Sequence, residues 1–240
     1  MPVARRLLLI STSTVYGTAY LEHAAPEIRD FLAAVPGGVP GVLFVPHALK
    51  DLGGYAAKAR GAFTAMGYGL ESLHDSASPR DAIERAAALF IGGGNTFRLL
   101  ASLYRLDLLE PIRRRVSEGM PYLGASAGSN VAGPTIRTTN DMPIVEPPSL
   151  QALGLVSFQI NPHYLDADPS STHMGETREE RLHQFHEEND TPVVGLREGA
   201  MLRVEGERVL LKGRKGARIF RRGQEPVEAT PGTPIERLVV

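Results

Sequence analysis

Cysteine is absent from the 240 residues. That excludes disulfides, a zinc–thiolate centre and a thiol nucleophile, and it suits a reducing, cytoplasmic compartment. Blocks of one charge sign are also missing: 26 Lys and Arg stand against 27 Asp and Glu, a formal net charge of −1. Such a balance argues against nucleic acid or an anionic membrane as the main partner. No apolar run is long enough to span a bilayer. The N-terminal run around Leu7–Ile10 is too short for a signal h-region and lacks a cleavage site after it, so it reads as a first strand. Internal repeats, low-complexity tracts and linkers are absent as well. One domain covering 1–240, with a sizeable core, is therefore expected.

Short apolar runs alternate with amphipathic stretches. Strands are expected at Arg6–Ser11, Gly41–Val45, Tyr68–Leu73, Ala88–Gly92 and Pro121–Ala125. Helices are expected at Ala25–Val35, Leu52–Met66 and Pro79–Ala87, with helical material from Thr96 to Gly119. This alternation implies βαβ units, hence an α/β fold with a doubly wound, mostly parallel sheet flanked by helices. Residues 135–175 are rich in loops and proline, with a strand at Ser157–Asn161 inside them. Glu176–Asn189 reads as a polar helix opened by a Thr177/Glu180 capping box. Thr191–Leu196 reads as another buried strand, and Met201–Val204, Arg208–Lys212 and Ala217–Arg221 as a small antiparallel C-terminal meander.

Active sites of such sheets lie beyond the carboxyl ends of the strands. Two glycine-rich segments fall there. Gly124-Ala125-Ser126-Ala127-Gly128 is a Gly-x-Ser-x-Gly pentapeptide at a strand-to-helix turn, a geometry that lifts Ser126 clear of the sheet beside backbone N–H donors. Gly92-Gly93-Gly94-Asn95-Thr96 lacks a Walker lysine and a Gly-x-Gly-x-x-Gly pattern. It reads instead as a donor loop, with Gly93 and Gly94 completing an oxyanion hole opposite Ala127. A serine nucleophile needs a base, and the base needs an acid to orient it. Of seven histidines, His163 directly follows an expected strand and so sits at the correct edge. His23, His47 and His74 read as surface residues, His173 as a loop residue, and His183 and His186 as part of a solvated helix face. Asp141 and Glu198 both remain open as the acid: Asp141 gives the order Ser, Asp, His, and Glu198 follows a strand.

These segments together resemble the peptidase E (aspartyl dipeptidase) family of serine peptidases. The carrying motifs run from Ser11-Thr12-Ser13-Thr14 and Leu21-Glu22-His23-Ala24 through both glycine-rich loops to the long block Thr135-Ile136-Arg137-Thr138-Thr139-Asn140-Asp141-Met142-Pro143-Ile144. Ile160-Asn161-Pro162-His163 and Gly175-Glu176-Thr177-Arg178 complete them. The resemblance implies a sheet like that of class I glutamine amidotransferases, with Ser126 as nucleophile and His163 as general base. It implies Glu198 as the orienting acid, and Asp141 either in the charge relay or binding the substrate's amino group. It also implies hydrolysis of dipeptides with N-terminal aspartate, without metal or organic cofactor. Selectivity for aspartate asks for an arginine fork. Arg178 is the first choice and Arg137 the second, with Asn95 and Glu176 beside them. A homodimer is the prior for assembly. A cyanophycinase-like hydrolase of an aspartate–arginine polymer and a non-catalytic binding protein are the competing readings.

Overall fold

The computed structural model describes residues 5–35, 37–172 and 174–239. In chain order its elements are β1 (Arg6–Ile10), α1 (Ala25–Ala33), β2 (Gly41–Val45), α2 (Leu52–Ala65), β3 (Gly69–Ser72), α3 (Pro79–Arg85), β4 (Leu89–Ile91), α4 (Thr96–Arg105), α5 (Leu109–Ser117), β5 (Tyr122–Ala125) and α6 (Ala127–Asn130). They continue with β6 (Gln159–Tyr164), α7 (Arg178–Glu188), β7 (Val193–Arg197), β8 (Ala200–Glu205), β9 (Arg208–Gly213), β10 (Ala217–Phe220), β11 (Val227–Ala229) and α8 (Glu236–Val239).

A seven-stranded sheet runs β3-β2-β4-β5-β1-β8-β9, parallel from β3 to β1 and antiparallel across β8 and β9. Leu7 to Ile10 of β1 and Tyr122 to Ala125 of β5 are buried on both faces, as central strands of a helix-covered parallel sheet must be. One face packs on α1 and α2 through Phe31, Ala59 and Phe63. The other packs on α3, α4 and α5 through Ile83, Leu99, Leu103 and Ile112, and the same core extends beneath a second sheet through Ile160, Val194 and Ile219. That second sheet runs β11-β10-β7-β6. No helix among the described residues is long and apolar enough to cross a membrane.

Local chemistry fixes the helix starts. Asp51 Oδ1 accepts from the Gly54 N–H at 2.9 Å and Asn95 Oδ1 from the Arg98 N–H at 3.0 Å. Thr177 and Glu180 form the reciprocal capping box that opens α7. The helical stretch expected from Thr96 to Gly119 is two helices, because Asp107 adopts φ 53° between them.

Two expectations about the scaffold need correction here. The C-terminal strands do not form a meander of their own: β8 pairs with β1 and extends the large sheet, whereas β10 pairs with β7 in the second. Met201, Leu202 and Val204 are buried, and β8 takes the side of β1 that β5 leaves open. Nor are His23 and His47 surface residues; each is about 7% exposed. Burial lowers the pKa of His47 to about 4, with Arg105 and His74 adding to the effect. The unfolded chain restores the usual, higher value, so the unfolded state binds the extra proton between the two. Stability is thus full above the usual histidine value and falls as pH drops toward the folded value. The unfolding free energy is expected to fall by about 2–3 kcal/mol across that window. Denaturant titrations should show His47→Gln removing about one proton's worth of the slope.

Candidate active site

The carboxyl ends of β1, β2, β4 and β5 converge on a groove of about 530 Å³ lined by Gly93, Gly94, Ser126, Asp141 and His163, among others. Ser126 stands between β5 and α6, as the N-cap of the latter, with φ 52° and ψ −109°, a conformation unfavourable for a residue with a Cβ. Neighbouring contacts force this turn. A Cβ on Gly128 would stand 2.1 Å from Ile91 O, and one on Gly124 2.5 Å from Gly128 O. The small residues of the pentapeptide are therefore demanded by close backbone approach. Backbone hydrogen bonds from Ser126 N to Ile10 O and from Asn130 N to Ser126 O lock the turn to the sheet.

His163 lies inside β6 rather than beyond its end, and it is the residue skipped between Pro162 and Tyr164 in the pairing with β7. Its φ of 53° marks a β-bulge, which turns the imidazole out of the sheet's alternation toward Ser126. The backbone N–H of His163 donates to Ser11 Oγ at 3.0 Å, and Ser11 Oγ donates to Leu196 O at 2.7 Å. Ser11 thus anchors the bulge to the end of β1.

His163 Nε2 is 2.8 Å from Ser126 Oγ, and His163 Nδ1 is 2.7 Å from Glu198 Oε1. A carboxylate only accepts, so Nδ1 carries the proton and Nε2 offers its lone pair to the serine hydroxyl. Glu198 sits in the short link Glu198–Gly199 between β7 of the second sheet and β8 of the first, with Gly199 at φ +85°.

Asp141 is directed elsewhere. Its Oδ2 accepts from the Thr96 N–H at 2.7 Å, from Thr96 Oγ1 at 2.6 Å and from Thr139 Oγ1 at 3.3 Å. It stands at the N-terminus of α4, where the helix dipole favours an anion, and it lines the groove. Among the described residues it has no hydrogen bond to His163.

Gly93 packs directly on the serine: an added Cβ would lie 3.0 Å from Ser126 Cβ and 3.6 Å from Oγ. Gly94 adopts φ +131° and packs on Ala48 O, where a Cβ would approach to 2.6 Å. Ala127 opens α6, so its N–H has no intrahelical acceptor and is free for an anion at Ser126.

Arg178, the first residue of α7, is half-buried and makes no hydrogen bond or ion pair among the described residues. Desolvation lowers its pKa first, the neighbouring Arg181 lowers it further, and the charge of Asp141 raises it. Its obvious neighbours are engaged with other partners. Glu176 takes Gln184 Nε2 at 2.7 Å and Arg181 Nε at 3.5 Å, while Glu180 bonds the Thr177 N–H at 2.6 Å. Arg137 is exposed. The Asn95 side chain caps α4 and its Nδ2 donates to Met142 O at 2.8 Å, so it shapes the loop carrying Asp141. His186 does not share the solvated face expected of it: it points inward, buried, with its Nδ1 3.0 Å from Asn189 O, whereas the exposed His183 stands 3.7 Å from Glu179. His173 lies outside the described residues. No cluster of three or more His, Cys, Asp or Glu is placed to hold a metal ion among the described residues.

Sequence reasoning missed Ser11, Tyr20, Tyr55 and Lys58. The last three line the groove. The signal available for Tyr55 and Lys58 was position alone: they follow β2 in the first turns of α2, at the same sheet edge as the glycine loops.

The model of peptidase family S51 matches residues 7–212. Peptidase E of Streptomyces coelicolor is 54% identical over 233 residues, covering 97% of this chain and 94% of that protein. A probable alpha-aspartyl dipeptidase of Drosophila melanogaster is 48% identical over 232 residues, covering 96% of each. The crystal structure of a peptidase from an acI-B1 actinobacterium shares the fold, with a TM-score of 0.74 at 17% identity over 98% of this chain and 97% of that one.

Proposed function

This chain belongs to peptidase family S51, and on that premise we propose that it hydrolyses dipeptides whose first residue is aspartate. The observation that carries the reading is the unbroken hydrogen-bonded chain from Ser126 through His163 to Glu198. Ser126 Oγ attacks the scissile carbonyl while His163 Nε2 takes its proton, and Glu198 stabilises the imidazolium that forms. The N–H of Ala127 and the Gly93–Gly94 loop hold the oxyanion. The C–N bond then breaks as His163 protonates the departing amine. Water, deprotonated by His163, attacks the acyl ester, releases aspartate and restores the serine.

Specificity rests on charge matching. An N-terminal aspartate carries an ammonium on Cα and a side-chain carboxylate on the adjacent Cβ. Asp141 and Arg178, near enough for their charges to interact, offer the complementary pair. Asp141, already held by three donors, keeps its orientation without the substrate. A neutral first residue would leave the half-buried Arg178 desolvated without a counter-charge.

Initial rates on Asp-Leu, Glu-Leu, Asn-Leu and Ala-Leu, with EDTA present, test this. Asp-Leu should be preferred strongly, and Arg178→Met should lower its kcat/KM by about 10²-fold. Ala-Leu cleaved as fast as Asp-Leu would sink the substrate assignment. A preserved preference in Arg178→Met would move the carboxylate site to Arg137.

A further inference from the structure

The groove straddles the carboxyl edge of the large sheet. Asp141 bounds it from the α4 side, and Tyr20, Tyr55 and Lys58 bound it from the face packed on α1 and α2. Among the residues lining it, Lys58 is the only lysine or arginine. Among the described residues it has no carboxylate within ion-pair distance. The nearby Asp51 faces the N-terminus of its own helix, accepting from Gly54 N. Lys58 Nζ is held 5.0 Å above the Tyr20 ring, a cation–π contact that keeps the ammonium at the groove wall. The Tyr20 hydroxyl donates to the Tyr55 hydroxyl at 3.2 Å. Tyr55 in turn packs its hydroxyl against the oxyanion loop, where a Cβ on Gly92 would approach it to 2.5 Å. Burial raises the pKa of both tyrosines, so they remain hydroxyl donors.

We propose that Lys58, braced by Tyr20, is the subsite that takes the free α-carboxylate of the substrate's second residue. The inference rests on the aspartyl dipeptidase reading and extends it to the leaving group. With the ammonium at Asp141 and the scissile carbonyl at Ser126, the chain continues across the edge toward the opposite wall. In a dipeptide the terminal carboxylate follows after one residue, an advance of about 3.8 Å. A lysine on a flexible stem meets that carboxylate as a point charge, with no demand on the second side chain. A longer peptide presents a neutral amide at the same place and leaves the ammonium unanswered. Lys58 therefore makes the enzyme a reader of chain length as well as of the first residue.

Matched kinetics on Asp-Leu and its C-terminal amide test the assignment. Wild type should favour the acid by about tenfold, the scale of one hydrogen-bonded charge pair discounted for exposure. Lys58→Met should collapse that ratio to near unity through KM, and Lys58→Arg should restore part of it. Equal use of acid and amide by wild type, or an unchanged ratio in Lys58→Met, would overturn the proposal. Failure of wild type on both substrates would fall instead on the dipeptidase reading. The subsite is then decided by calorimetric binding of acid and amide to Ser126→Ala, with and without Lys58→Met. Tighter binding of the acid that Lys58→Met abolishes supports it, and equal affinities reject it.

Discussion

Ser126→Ala should reduce kcat/KM on Asp-Leu by at least about 10⁴-fold, the loss typical when a triad nucleophile is removed. The fold should survive, because among the described residues Ser126 Oγ has a single partner, His163 Nε2, and it has no packing role in the core. The backbone adds a second, opposite readout. At φ 52° a Cβ is strained, and alanine keeps that strain while glycine releases it. Ser126→Gly should therefore be more stable than Ser126→Ala by about 1 kcal/mol, or about 2–4 °C in Tm for a chain of this size. Thermal unfolding of the two inactive variants measures it. A glycine variant less stable than the alanine variant would mean that the turn is not strained.

Glu198→Gln should cost about 10²- to 10⁴-fold in kcat. Glutamine can still accept from Nδ1, but it removes the charge that balances the imidazolium. The Glu198 side chain is 53% exposed, so water makes good part of the lost charge and the lower end of that range is expected. Asp141→Asn should act differently, raising KM for Asp-Leu because the ammonium loses its counter-charge. The pair separates two carboxylates that composition and order leave equivalent. Near-normal kcat in Glu198→Gln alongside a collapse of kcat in Asp141→Asn would exchange their roles.

Much of the scaffold was legible because it is written in local patterns. β2 has the expected bounds Gly41–Val45, and the capping box at Thr177 starts α7 within two residues of expectation. The nucleophile turn was legible for the same reason: small residues around Ser126 announce a backbone conformation set within a few positions. What stayed hidden depends on partners distant in sequence. The bulge at His163 exists because Ser11, 152 residues away, binds its N–H. The family resemblance favoured Glu198 over Asp141, but chain order and strand position left both open, and the hold of Thr96 on Asp141 is a contact that only the fold makes. Lys58 belongs to a helix whose polar positions look like any solvated face until the groove is seen beside it. The freedom of Arg178 likewise follows from Glu176 choosing Arg181 and Gln184 instead.

Ser126 follows a strand of the seven-stranded sheet, His163 belongs to the four-stranded one, and Glu198 sits in the two-residue link between them. The three groups thus meet across a seam, sewn by Ser11 to Leu196 and His163 and by Asn130 to Ile160, the last at 2.7 Å. Turnover is in this sense a strain gauge for that joint. A slip of an ångström between the sheets would leave every strand and helix intact and yet part the imidazole from the serine. Distant substitutions that loosen the joint would be felt in the rate before they are felt in the fold.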